Sequence, residues 1–173
     1  FGNRYSAWRV LEEFYEQGKI RAIGVSNFEP DMLIDLIRFN KVTPAVNQIE
    51  THLYCQRKST HAWENKYGIA HQAYAPLGQG RANDMFAEKA VARLAEKYGK
   101  TPAQILLRYQ IENGVIVIPK SVHESRIKEN IDIFDFSLTK EELESLAALD
   151  KNEPMIGRPE DPDFTEFAMT WIK

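Results

Sequence analysis

The 173-residue sequence has a single cysteine, Cys55, so no intrachain disulfide can form, and a reducing compartment is the expected setting. It has no apolar run approaching the roughly 20 residues that a membrane span requires. It has no surplus of positive charge either. The formal net charge is −3, which argues against nucleic acid or an anionic membrane surface as a partner. His52, His61, His71 and His123 lack metal-ligand spacing, and Cys55 has no companion suited to a zinc site, so no metal is expected. No Ser/His/Asp or Cys/His nucleophile arrangement emerges, and neither a Walker nor a Rossmann fingerprint is present. Internal repeats and low-complexity segments are absent. Together these absences leave a soluble cytoplasmic globular domain as the expectation.

What is present is alternation. A helix is expected from about Ser6 to Gln17, with Trp8, Leu11, Phe14 and Tyr15 on one face and Gly18 as its stop. Ile20 to Val25 reads as a buried strand, and Pro30 opens a helix striped by Leu33, Ile34 and Ile37. Ala45 to Ile49 reads as a second strand, followed by a helix from about Arg57 to Tyr67 that ends at Gly68. Ile69 to Tyr74 gives a third strand. The glycine-rich Pro76-Leu77-Gly78-Gln79-Gly80 then leads into two helices. The second starts at the capping box Thr101-Pro102-Ala103-Gln104 and stops at Gly114. Val115 to Ile118 is the fourth strand. Capping boxes at Ser121 with Glu124 and Thr139 with Glu142 open two further helices, and a short tail helix is expected near Phe164 to Trp171.

Strand–helix units with nearly continuous apolar strands predict a parallel sheet covered by helices, an α/β fold. Four strands are half of a (β/α)8 barrel, and four parallel strands cannot close on themselves. The sequence opens at Phe1, already in what reads as a loop before a helix, so a piece of a longer chain is expected. Residues 1–150 form the half-barrel, and 151–173 form a tail whose composition shifts to proline and acid.

In parallel barrels the C-terminal strand ends form the reactive face. Ser26, Asn27, Gln48, Glu50, Tyr74, the glycine loop, Lys120 and Ser121 all fall at such ends. Lys120, Ser121 and Arg126 surround a helix start, where free backbone N–H groups and the positive end of the dipole attract an anion. The alternative is an ordinary surface helix with a capping serine. The 76–81 loop could wrap a pyrophosphate, or be a plain flexible loop. Tyr74 could stack on an aromatic ligand, or pack in the core. His52 beside Glu50 imitates an acid–base pair, but reads better as a structural histidine.

Three segments carry a resemblance. Gly18-Lys19-Ile20-Arg21-Ala22-Ile23-Gly24-Val25-Ser26-Asn27-Phe28 resembles the aldo-keto reductase signature almost word for word, and Ala45-Val46-Asn47-Gln48-Ile49-Glu50 and Ile118-Pro119-Lys120-Ser121 match two further motifs of that family in order. The likeness covers essentially the whole chain and leans toward bacterial 2,5-diketo-D-gluconate reductase-like members. It implies the C-terminal half of a TIM barrel and an NADPH-dependent oxidoreductase that reduces aldehyde or ketone carbonyls.

By the resemblance, Ser26, Asn27 and Gln48 hold the nicotinamide carboxamide, and Tyr74 stacks under the ring. Ala75, Leu77, Gly78 and Gln79 fold over the pyrophosphate. Lys120, Ser121, Val122 and Arg126 bind the 2′-phosphate of the adenosine ribose, which favours NADPH over NADH. Glu129 and Asn130 meet the adenine, and His123 occupies a variable position near the phosphate. The family's catalytic tyrosine, lysine, aspartate and histidine belong to the first four strand ends, so none is expected among these residues and the missing N-terminal half-barrel is an expected partner. Phe164, Phe167 and Trp171 are the tail's candidates for the substrate side. The alternative function is a non-catalytic nucleotide-binding or assembly half-barrel.

Overall fold

The computed structural model describes residues 3–158 and 161–170. Four short strands, β1 (Val25–Ser26), β2 (Val46–Glu50), β3 (Ala70–Tyr74) and β4 (Ile116–Val117), form one sheet in the order β1-β2-β3-β4. The strands run parallel, with helices between them, as the alternation predicts. The chain divides into two compact units, one of Phe1–Ile49, Lys58–His71 and Gly157–Lys173, the other of Glu50–Arg57 and Gln72–Ile156. Among the described residues no helix is long and apolar enough to cross a membrane.

In the first unit, α1 (Arg4–Glu16) starts two residues before the expected Ser6, because the Asn3 side chain accepts the Ser6 N–H and caps the helix. Its buried residues are Trp8 and Glu12, while Phe14 and Tyr15 are exposed, contrary to expectation. The reason is Glu12. Its carboxylate accepts the Lys41 and Val42 N–H groups at 2.7 Å each, which turns that face of α1 inward and leaves Phe14 under the Lys19 ammonium at the surface. Trp8 joins Ile23 and Leu36 in the core cluster. The helix α2 (Pro30–Phe39) buries Leu33 and Leu36, so Leu36 takes the place expected of Ile34 and Ile37, which are half-buried.

The strand expected over Ile20–Val25 is a ladder only at Val25 and Ser26, paired with Asn47 and Gln48. Gly24 explains the close approach that follows. A Cβ there would stand 2.7 Å from the Val46 carbonyl oxygen and 2.4 Å from its side chain. The helix α3 (Lys58–Tyr67) buries two polar residues, Thr60 and Glu64. The tail helix is α9 (Pro162–Met169), capped by the Asp161 side chain. It holds Phe164 and Phe167, whereas Trp171 lies outside the described residues.

The second unit is built on apolar packing. Three helices, not two, fill the stretch before β4: α4 (Ala82–Phe86), α5 (Lys89–Tyr98) and α6 (Pro102–Glu112). Glu88 breaks the first pair, leaving helical geometry at φ −59° and ψ 128° while its carboxylate accepts the Tyr54 hydroxyl at 2.7 Å. The Thr101 capping box forms as expected, as does the one at Thr139 that opens α8 (Lys140–Ala147). Leu94, Ile105, Leu106 and Leu146 make the centre of the core. At the sheet, Gln72 pairs with Ile116 and Ala73 with Val117.

The box expected at Ser121 does not form. The Ser121 hydroxyl accepts the His123 N–H at 3.1 Å in a local turn, and α7 (Glu124–Ile131) begins after His123 with no side-chain cap. Serine offers the backbone both choices, and the shorter loop wins here.

Candidate functional site

The predicted residues fall into two groups, one in each unit. In the first unit, the turn from β1 to α2 carries Ser26 and Asn27. The Ser26 hydroxyl donates to the Gln48 carbonyl at 2.8 Å, and the Asn27 N–H donates to the same oxygen at 2.9 Å. Asn27 sits at φ 57°, a left-handed conformation that asparagine tolerates better than most residues. Beyond it, Phe28 donates its N–H to Asn47 Oδ1 at 3.3 Å and accepts from Asn47 Nδ2 at 2.8 Å. The buried Oδ1 of Asn27 has no hydrogen-bond partner among the described residues. A buried acceptor without a donor is costly, so this oxygen suits a ligand that brings an N–H, such as a primary amide.

In the second unit, the loop after β3 is bent at Ala75 (φ 50°) and Gly78 (φ 63°). The positive φ favours glycine at position 78, and a Cβ there would also meet the end of the Met85 side chain at 2.5 Å. The loop is pinned by Gln110, whose Nε2 donates to the Pro76 carbonyl at 2.9 Å. Two cavities open beside it. One, of about 620 Å³, is lined by Ala75, Leu77, Gln79, Lys120 and Arg126 among others. The other, of about 390 Å³, is lined by Leu77, Lys120, Ser121, Val122, Arg126, Glu129 and Asn130, with His123. Leu77, Ala82, Lys120 and Arg126 line both.

Lys120 and Arg126 are exposed and make no ion pair among the described residues. They flank the start of α7, which has no side-chain cap. Two unpaired cations and open backbone N–H groups form a setting for a phosphate. The Glu129 carboxylate is already engaged, accepting the Thr101 hydroxyl. Tyr74, half-buried at the end of β3, and Gly78, buried behind Met85, line neither cavity.

Asn83, Phe86 and Ala103, which no site motif in the sequence marks, also line the smaller cavity. The one sequence signal for them is apolar Phe86 close after the glycine loop. The His52–Glu50 pair is buried at 3.0 Å, and Glu50 also accepts the Met155 and Ile156 N–H groups. Burial works to raise the Glu50 carboxyl, but the bonds from His52, Met155 and Ile156 outweigh it and hold it below its ordinary value. This is a structural clamp on the 155–156 segment, in line with the structural histidine expected.

The aldo/keto reductase family model matches residues 4–151. Methylglyoxal reductase DkgA of Yersinia pestis is 45% identical over 155 residues, covering 90% of this chain and 56% of the relative. Among solved structures, an aldo-keto reductase from a Medee basin deep-sea metagenome library is 38% identical with a TM-score of 0.86, covering 89% of this chain and 57% of that one. A Bombyx mori aldo-keto reductase in complex with NADP is 35% identical with a TM-score of 0.81, covering 88% of this chain and 52% of that one. The chain therefore spans about half the length of the relatives it matches.

Proposed function

The chain belongs to the aldo/keto reductase family of oxidoreductases, and on that premise we propose that it binds NADPH for the reduction of aldehyde or ketone carbonyls to alcohols. NADPH supplies the hydride when bound. In this reading Lys120 and Arg126 take the 2′-phosphate, aided by Ser121 and Val122 in the loop before α7. Glu129 and Asn130 receive the adenine, and Ala75, Leu77, Gly78 and Gln79 form the loop over the pyrophosphate. Tyr74 lies against the nicotinamide, whose carboxamide meets Ser26, Asn27 and Gln48. The orphan Oδ1 of Asn27 is suited to the carboxamide NH₂.

The observation that carries the proposal is the pair of unpaired cations shared by two adjoining cavities at an uncapped helix start. NADH has no 2′-phosphate to offer such a site. The proton donor for the carbonyl and the residues that tune it come, on this reading, from the other half of the barrel, and residues 1–150 serve as the cofactor-binding half. The tail, through Phe164 and Phe167, is assigned to the substrate side. A reducing cytoplasm suits both the lone buried Cys55 and a reduced nicotinamide.

A fluorescence titration of the protein with NADPH, with NADH as comparison, tests this. Saturable binding that favours NADPH is expected. Equal affinity for the two overturns the 2′-phosphate assignment, and no binding of either by a folded sample overturns the cofactor reading for this chain.

A further inference from the structure

The helix α3 is unusual in what it hides. Its buried residues are Thr60 and Glu64, four apart and hence on one face, and both are polar. An amphipathic helix ordinarily buries its apolar stripe. Thr60 reaches the turn that carries Ser26 and Asn27 directly, and Glu64 reaches it through Asn47. The Thr60 hydroxyl donates to Glu29 Oε2 at 2.8 Å, and Glu64 Oε1 accepts from Asn47 Nδ2 at 2.7 Å. Asn47 in turn grips the Phe28 backbone at both its N–H and its carbonyl. The other Glu64 oxygen is bonded to His71 Nδ1. Asn47, Glu64 and His71 are all at most 1% exposed.

A buried carboxylate is expensive unless its oxygens are satisfied, and an apolar residue would fill the same place at less cost. The turn it supports bends at Asn27, which holds a left-handed backbone. Gln48 restrains the turn from one side through Ser26 and Asn27, and Asn47 restrains it from the other through Phe28. The Asn47 amide has one useful orientation, with NH₂ toward both the Phe28 carbonyl and Glu64. A flip would set oxygen against two acceptors, and Glu64 deepens that preference.

We propose that Glu64 is a positioning residue for the nicotinamide end of the cofactor site, acting through Asn47 to hold the Ser26–Asn27–Phe28 turn in its ligand-ready form. The inference rests on the assignment of Ser26 and Asn27 to the carboxamide. It makes a prediction that a merely structural acid does not: the loss on substitution is confined to ligands that carry a nicotinamide.

The experiment compares NADPH with adenosine 2′,5′-bisphosphate, which has the adenosine and the 2′-phosphate but no nicotinamide, by isothermal titration. Glu64→Leu is expected to weaken NADPH about tenfold, as for one lost charge-assisted bond, and to leave the bisphosphate within about twofold. Glu64→Gln, whose amide oxygen still accepts from Asn47, is expected to keep NADPH binding near that of the unaltered protein. If Glu64→Leu does not fold, Asn47→Ser removes the grip on Phe28 and carries the same expectation. Equal weakening of both ligands, or no weakening of NADPH, overturns the inference. Unaltered protein that binds NADPH no more tightly than the bisphosphate overturns the carboxamide assignment itself, and this is read before any variant is made.

Discussion

The two units hold their functional residues by different means. In the first, the turn bearing Ser26 and Asn27 hangs on buried hydrogen bonds: two donors on the Gln48 carbonyl, and Asn47 between Phe28 and Glu64. In the second, the cavity-lining loops stand mainly on an apolar core, with Leu94, Ile105, Leu106 and Leu146 almost wholly buried and a buried hydrogen bond from Gln110 pinning the loop after β3. Hydrogen bonds are directional and fail when geometry shifts by a fraction of an ångström. Apolar packing is non-directional, so a loss there lowers stability before it changes shape. One region is therefore built for orientation and the other for endurance.

The strongest way to break that contrast is to remove core volume in the second unit. Leu106→Ala is expected to cost about 2–5 kcal/mol of stability, from lost burial and the cavity left behind. Urea unfolding would measure the loss, and NADPH affinity of the protein that remains folded should change little. A large drop in affinity at unchanged stability would reverse the division of labour. Next in size is Arg126→Ala. It should weaken NADPH by about 1–3 kcal/mol, as for a lost charge-assisted bond, and leave NADH nearly unaffected. Parallel titrations with the two nucleotides decide it.

The smallest effect tests whether the second unit also leans on electrostatics. Burial tends to raise the Glu142 carboxyl, yet hydrogen bonds from Lys97, Tyr98 and the Thr139 N–H prevail and hold it at about 2. A carboxyl depressed in the folded state stabilises fully above its ordinary value near 4.5, and that contribution fades as pH falls toward about 2. The gap in urea midpoint between the protein and Glu142→Gln should hold steady from neutral pH to about 4.5 and then close. A gap that persists unchanged at the acid end would assign the residue's worth to helix capping alone.

Much of the fold was legible because its signals are local. Gly18, Gly68 and Gly114 mark stops with positive φ, and the Thr101 and Thr139 boxes each close within four residues. The three quoted motifs, and the family they indicated, were legible for the same reason. Ser121 shows how far such reading reaches. Its spacing to Glu124 is right for a box, but a serine hydroxyl has other backbone partners within reach, and His123 is nearer.

The non-local parts were hidden. Glu12 reads as a solvent-facing helix residue, and only the chain's return at Lys41 and Val42 gives it reason to be buried. Glu64 reads the same way, and its partners stand 17 and 7 residues away. The ladders are shorter than the apolar runs Ile20–Val25 and Val115–Ile118 suggest, and hydropathy misleads on burial as well, since Ile116 and Ile118 are exposed.

Cys55 was first notable for having no second cysteine to bond with. Fully buried, that lone thiol also turns the protein into its own clock. A thiol reagent can reach it only when the structure around it opens. The rate of modification in the native state thus reports the free energy of that opening without any added label.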